Sequence, residues 1–502
     1  MKRQLFLFAV MLFGPVAFAE VRLPAIFSDH MVLQRGTDAP VWGWAAADEE
    51  VTVAIAGQTK KTVAGADGKW MVRLSPIKST EPLQLTVSGT NALKVQDVLA
   101  GEVWLCSGQS NMAFRVSQAV NFEQEQAAAN LPQIRMFLTE RKTAKEPQAD
   151  AQGKWIIASP ETVGEFTAAG YFFAREIYKE LHVPVGLVHS SVGGTAIELW
   201  ISAEAQRSAP ELRSEMEALD QENRDFDAAA ATDRYRKALA RWKTAAAEAK
   251  AAGKPAPRAP QDPVALQERK TGIGVLYNAM IAPLIPYALR GALWYQGEAN
   301  STPGRANLYQ YQLPLLIKDW RTRWGQGDFP FAWVQLPNFN GPGRNWPLVR
   351  EAMLKTLAVP HTGMAVAIDI GEPDNIHPKN KQEVGRRLSM WALGAVYGKH
   401  CETSGPLASG HSIKGGNIVV RFKHTEGRLV SKGEEVRGFQ IAGADKRWVP
   451  AAARISGSSV VVSSPEVKEP VAVRYAWANN PDCNLYNGAG IPASPFRTDD
   501  WE

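Results

Sequence analysis

Four short clusters of polar and glycine residues each lie after an apolar run in this 502-residue sequence, three of them directly and one after a short loop. The first is Ser107-Gly108-Gln109-Ser110-Asn111, after Val103-Trp104-Leu105-Cys106. A serine at a strand-to-helix turn holds its hydroxyl above a sheet, where it can attack a carbonyl. The helix start then offers free backbone N–H groups to an oxyanion. Serine at such a place also commonly caps the helix, and on this segment alone the cap is the more ordinary reading. The pattern is not the G-x-S-x-G elbow. The second cluster is Asp374-Asn375-Ile376-His377-Pro378. A nucleophilic hydroxyl needs a base, and the base needs a partner to fix its tautomer. An aspartate three residues before a histidine can fold back onto the imidazole within one turn. Alone, the pair also reads as a capping aspartate and a surface histidine.

The third cluster, Trp294-Tyr295-Gln296-Gly297-Glu298-Ala299-Asn300, offers two amides and one carboxylate. A neutral amide can donate to a developing oxyanion without competing as a base. The same groups can also simply tie loops together. The fourth, Ser190-Ser191-Val192-Gly193-Gly194-Thr195, carries glycines that let backbone N–H groups approach a ligand, or that make an ordinary tight turn. Each cluster is weak by itself. Together they supply a nucleophile, a base, an orienter and oxyanion donors, which is the equipment of a serine hydrolase. No H-E-x-x-H, C-x-x-C or tight His/carboxylate group suggests a metal, and no G-x-G-x-x-G or Walker pattern follows a strand. No cofactor is expected. Cys106 lies inside an apolar run and reads as a small buried hydrophobe rather than a nucleophile.

The elements that must position these clusters alternate along residues 100–400. Candidate strands are Glu102 to Cys106, Val185 to His189, Ala292 to Tyr295, Ala332 to Gln335 and Met364 to Ile368. Helical patterns cover Ala168 to Leu181, Leu308 to Trp324 and Gln382 to Val396. Such alternation predicts an α/β fold with a parallel sheet between helices, and chemistry at the carboxyl ends of its strands. Residues 203–263 interrupt it with an Ala-, Glu-, Lys- and Arg-rich segment ending in Pro255, Pro257, Pro260 and Pro263. This reads as an inserted helical hairpin with a stiff linker, serving as scaffold rather than lid. Residues 20–99 and 401–502 are β-rich accessory regions, and the sequence leaves open whether they pack together.

Composition narrows the partners. Formal charge is +5 from 56 basic and 51 acidic residues. That balance gives no broad basic footprint, so no nucleic-acid partner is expected. Residues 1–19 read as a secretory signal peptide. Lys2 and Arg3 start it, an apolar run follows, and Ala17-Phe18-Ala19 forms the cleavage site. Cleavage after Ala19 places the mature chain in the periplasm or outside the cell. No later stretch is apolar enough for a membrane span. That compartment permits disulfides, and Cys401 and Cys483 make one candidate bridge.

Ordered blocks along the chain resemble the sialate O-acetylesterase family of SGNH-type (GDSL-like) carbohydrate esterases. They run from Leu23-Pro24-Ala25-Ile26-Phe27-Ser28-Asp29-His30 through Gly108-Gln109-Ser110-Asn111-Met112, Ser190 to Thr195, Leu276-Tyr277-Asn278-Ala279-Met280 and Trp294 to Glu298. They continue through Asp369-Ile370-Gly371 and His377-Pro378 to Pro492-Ala493-Ser494-Pro495-Phe496-Arg497-Thr498-Asp499. The resemblance implies a three-layer α/β/α sandwich with accessory β structure. It implies removal of O-acetyl groups from sugars, either sialic acid or plant cell-wall glycans such as xylan and xyloglucan. It implies Ser110 as nucleophile, His377 as base and Asp374 as its orienter. The oxyanion hole would comprise the N–H of Ser110, the N–H of Gly194 and the side chain of Gln296, with Gly193 and Asn300 as alternates. A lipid or thioester hydrolase on the same fold would instead need a long apolar groove. A non-catalytic glycan-binding protein would have no use for the filled Ser, Asp and His positions.

Overall fold

Six parallel strands bring the four clusters to one edge of one sheet. In spatial order they are Leu131–Thr139, Val185–Ser191, Ala92–Gly108, Gly291–Tyr295, Phe331–Gln335 and Thr362–Val366. Gly153–Ala158 adds a seventh, antiparallel strand beside Leu131–Thr139. The computed structural model describes residues 20–79 and 81–501, so the signal-peptide reading of residues 1–19 lies outside the described residues. No helix among the described residues is long and apolar enough to cross a membrane.

The apolar runs are continuous because both sheet faces are covered. Side chains alternate between the faces. Trp104, Cys106, Leu187 and Leu293 turn toward the helices Ala168–Leu181 and Lys381–Ala395, burying Phe172, Phe173, Val384 and Trp391 with them. Val103, Leu105, Val188, Trp294 and Trp333 turn the other way, against Leu313, Leu316 and Trp320 of Tyr309–Trp324 and Val349 and Met353 of Trp346–Thr356. The result is three layers. The first of these strands in chain order lies at the middle; the chain next lays down Leu131–Thr139 on one side, fills the gap with Val185–Ser191, and then builds outward on the other side. Ser110 follows this central strand at the point where the winding reverses, where α/β sheets open a crevice.

That central strand is longer than its sequence pattern suggests. Ala92–Gly108 pairs antiparallel with Leu83–Ser88 over its first half and parallel with Val185–Ser191 over its second. Its middle, Leu99 to Gly101, pairs with Val32–Gln34. Residue 99, the end of the first β-rich region in the sequence, therefore sits inside one unbroken strand.

The C-terminal region folds into two four-stranded antiparallel sheets and a two-stranded one around Ile418, Val420, Ile441, Val460, Val462 and Tyr475. The N-terminal strands bury Val51, Val53, Leu85 and Val87 in the cluster that also fills one face of the large sheet. The two β-rich ends thus fill different cores. In the inserted segment, the helices Ala203–Ser208, Arg213–Asp225 and Ala228–Ala251 precede an irregular stretch, 254–262, and the helix Pro263–Thr271. The stretch is not a free spacer. Trp242 Nε1 donates to the carbonyl of Pro257 at 2.7 Å, folding the prolines back along the long helix.

The expected Cys401–Cys483 bridge is not formed, since all three cysteines are free thiols. Cys401 is exposed after the last helix of the sheet region, with its Sγ 3.4 Å from the Met390 carbonyl. Cys483 packs in the C-terminal body beside Gly438, where a Cβ built on the glycine would lie 3.1 Å from its own. The two thiols belong to different neighbourhoods. Cys106 is buried, as its apolar setting predicts, and burial pushes its thiol pKa up, away from reactivity.

Candidate active site

The turn after the central strand needs Gly108. Its φ is +139°, and a Cβ there would lie 2.2 Å from the Tyr295 carbonyl oxygen of the neighbouring strand. That close approach lets Gln109 N–H donate to Tyr295 O at 3.0 Å and aims the chain into a four-residue helix, Ser110–Ala113. Gln109, not Ser110, occupies the cap position. Ser110 is the first helical residue, and its Oγ lies 2.8 Å from Nε2 of His377. The Ser110 backbone N–H makes no hydrogen bond among the described residues.

His377 lies on a loop shaped by Glu372, whose carboxylate accepts from Asn375 Nδ2 at 2.9 Å and from Lys379 N–H at 2.8 Å. These bonds hold the Glu372 carboxyl below its ordinary range. Asn375 Oδ1 in turn accepts the His377 N–H at 3.0 Å. The imidazole is half-buried. Burial, and then the Lys381 ammonium, push its pKa below the usual histidine value, which favours the neutral ring that a general base requires.

Beside Ser110 lies the turn Val192 to Thr195. A Cβ built on Gly193 would come 3.4 Å from the Ser110 Cβ, so this glycine packs directly on the serine. Gly194 follows on the exposed side with φ +73°. Ser110, Gly193 and His377 line a cavity of about 420 Å³ together with Ala113, Phe114, Gln118, Arg141, Asn375 and Lys379.

A family profile described as "Carbohydrate esterase, sialic acid-specific acetylesterase" matches residues 100–253 and 265–393. The chain belongs to this family. It is a carboxylic ester hydrolase. The sialate O-acetylesterase of Rattus norvegicus is 32% identical over 530 aligned residues, covering 95% of this chain and 94% of that protein. The Homo sapiens sialate O-acetylesterase is 29% identical, covering 95% and 92%. A crystal structure of a carbohydrate acetylesterase from Xanthomonas citri superposes with a TM-score of 0.81 at 38% identity, over 96% of this chain and 100% of that one.

Within this esterase the other expected site residues take different positions. Asp374 is exposed and, among the described residues, makes no hydrogen bond to His377. Gln296 is fully buried. Its Nε2 donates to Thr195 O at 3.1 Å and to Asn300 Oδ1 at 2.7 Å, while its Oε1 accepts from Tyr309 OH at 2.9 Å. Asn300 is equally committed, donating to Glu198 Oε2 at 2.9 Å and accepting the Ile197 N–H at 3.0 Å. Both amide hydrogens of Gln296 are taken, so in place of a free oxyanion donor it braces the chain just after Gly194. The sequence offered donors at this strand end but could not say which acceptors lay closer.

Sequence reasoning also passed over Asn111 and Lys381. Both are buried, and Lys381 touches the loop that carries His377 while Asn111 follows Ser110 and bonds to that same loop. A signal was available for Lys381. It opens a helix, where the dipole disfavours a cation, so a lysine there needs another reason.

Proposed function

We propose that this esterase removes O-acetyl groups from sugars, with Ser110 as nucleophile and His377 as general base. The observation that carries the reading is the 2.8 Å contact between His377 Nε2 and Ser110 Oγ. In the proposed course, His377 accepts the hydroxyl proton as Ser110 attacks the acetyl carbonyl. The developing oxyanion takes hydrogen bonds from the Ser110 N–H and the Gly193–Gly194 turn. His377 then protonates the departing sugar hydroxyl, and water, activated by the same imidazole, releases acetate. Asp374 enters only as the orienter implied by the sequence; the supporting geometry is that of a Ser–His pair.

The cavity's chemistry supports a small acyl group on a polar alcohol. Ala113 and Phe114 are its main apolar side chains, which suits acetyl better than a long acyl chain. Arg141 and Lys379, both exposed, give it a positive rim. That rim suits a carboxylate-bearing sugar such as sialic acid, while a neutral xylan or xyloglucan unit would use it only through hydrogen bonds. The test is acetate release from O-acetylated sialic acid, acetylated xylan and acetylated xyloglucan oligosaccharides, with Ser110→Ala as blank. Ser110-dependent release from one class supports the reading and names the substrate. Release that persists in Ser110→Ala overturns it. Secretion or periplasmic residence belongs to the same proposal and is checked by fractionating cells that express the full chain.

A further inference from the structure

Both carbonyls flanking His377 are held from below by buried polar side chains. Asn111, the neighbour of Ser110, donates through Nδ2 to Ile376 O at 3.0 Å. Lys381 donates through Nζ to Pro378 O at 2.6 Å. The two side chains also bond each other, with Lys381 Nζ to Asn111 Oδ1 at 2.7 Å. The remaining Asn111 Nδ2 hydrogen goes to Glu298 Oε1 at 2.5 Å. One amide thus links a buried cation, a buried anion, the turn that carries Ser110 and the loop that carries His377. Neither Lys381 nor Glu298 lines the cavity.

A buried lysine and a buried glutamate are costly to keep for packing alone. Burial pushes the Lys381 pKa down to about 7 and the Glu298 pKa up. One Glu298 oxygen accepts no hydrogen bond among the described residues. An apolar pair would fill the same space more cheaply, so the polar groups need a purpose in geometry. We propose that Lys381 is a positioning residue for catalysis, which with Asn111 clamps the loop on either side of His377 so that the imidazole stays in line with Ser110. The inference rests on the Ser110–His377 reading given above. It also accounts for how His377 keeps its place while Asp374 lies apart.

The charges that face this clamp are few. Glu298 and Glu372 face Lys381, and the rings of Phe114 and Tyr295 lie 4.6 and 5.3 Å from its Nζ. His377 faces Ser110 and the field of Lys381, with Arg141 and Lys379 at the cavity rim. The Lys381 ammonium disfavours a protonated His377. Removing it should therefore raise the histidine pKa and move the acid limb of activity to higher pH.

The test compares wild type with Lys381→Met on a soluble acetyl ester, measuring kcat, KM, the pH profile of kcat/KM and thermal unfolding. The expected result is a kcat lower by up to about 100-fold, the loss that a small misplacement of reacting groups produces. KM should stay within about threefold, since substrate contacts are untouched. The acid limb should move upward. Unchanged kcat, a loss carried by KM, or an unmoved acid limb overturns the proposal. If Lys381→Met fails to fold, Lys381→Met/Glu298→Gln removes both buried charges and is held to the same readouts. Ser110→Ala is run alongside. Should it retain activity, the Ser–His reading itself fails; should it be inactive while the lysine variant is normal, only the clamp fails.

Discussion

His377 Nε2 lies 2.8 Å from Ser110 Oγ although the two residues are 267 positions apart in the chain. The contact exists because the central strand delivers Ser110 to the switch point of the sheet. The outermost parallel strand, Thr362–Val366, feeds the loop that returns His377 across the same edge. Ser110→Ala should remove this contact and little else. We expect kcat to fall on the order of 10⁴-fold or more, as removal of the nucleophilic serine does in a serine protease. Thermal unfolding should match wild type, so a folded but inactive variant is the outcome to look for.

Asp374 offers a sharper division. An aspartate that orients a catalytic histidine is worth about 10⁴ in kcat when replaced by asparagine. Here Asp374 is exposed and unbonded to the imidazole, so Asp374→Asn should cost less than about tenfold. Steady-state kinetics of the purified variant decides between the two magnitudes.

The pH profile follows from the surroundings of His377. Its pKa is lowered by burial and by Lys381. The base therefore stays neutral to more acidic pH than a free histidine would, and activity is lost only as pH falls through that lowered value. The acid limb of kcat/KM should lie below about 6.5, the ordinary histidine value. A midpoint at or above it would contradict the environment described.

Arg350 joins the C-terminal body to the sheet and is fully buried, with no carboxylate partner among the described residues. Its guanidinium donates to four carbonyls: Leu336 at 2.9 Å, Pro337 at 2.7 Å, Ala478 at 2.7 Å and Asn479 at 2.9 Å. Burial lowers its pKa to about 9. A lysine cannot present donors in that planar fork. Arg350→Lys should cost about 2–4 kcal/mol, as expected when buried acceptors lose partners. Denaturant unfolding at pH 7 would show it, and an unchanged midpoint would dismiss it.

The thiols give a simple control. Cys401 and Cys483 are free and apart, so a reductant should leave the unfolding midpoint where it was. A clear drop on reduction would mean that a bridge forms in solution.

Much of this arrangement is legible in the sequence because apolar runs and helical periods are strong local signals. The helix Ala168–Leu181 is predicted to the residue. Three of the polar clusters sit at a strand exit, while the one holding His377 lies on a loop eight residues beyond Thr362–Val366. What local pattern cannot supply is choice of partner. Gln296 and Asn300 read as donors, yet only the fold reveals that Thr195 and Glu198 already engage them. The spacing of Asp374 permits a return to His377, but it is the Asn375 side chain that bonds the histidine's own backbone. The long central strand escapes notice for a related reason. Its alternation over residues 92–98 turns into a continuous buried run once both faces are covered, so one element reads as two.

That strand has a practical meaning for anyone wishing to cut the protein into parts. Its first half completes the N-terminal β layer, and its second half ends two residues before Ser110. No hinge separates them where a truncation could fall. Deleting the N-terminal region would leave a raw hydrogen-bonding edge upstream of Ser110, and grafting that region elsewhere would carry part of the active-site scaffold along. The first eighty described residues are better regarded as a foundation poured together with the catalytic sheet than as an appendage bolted to it.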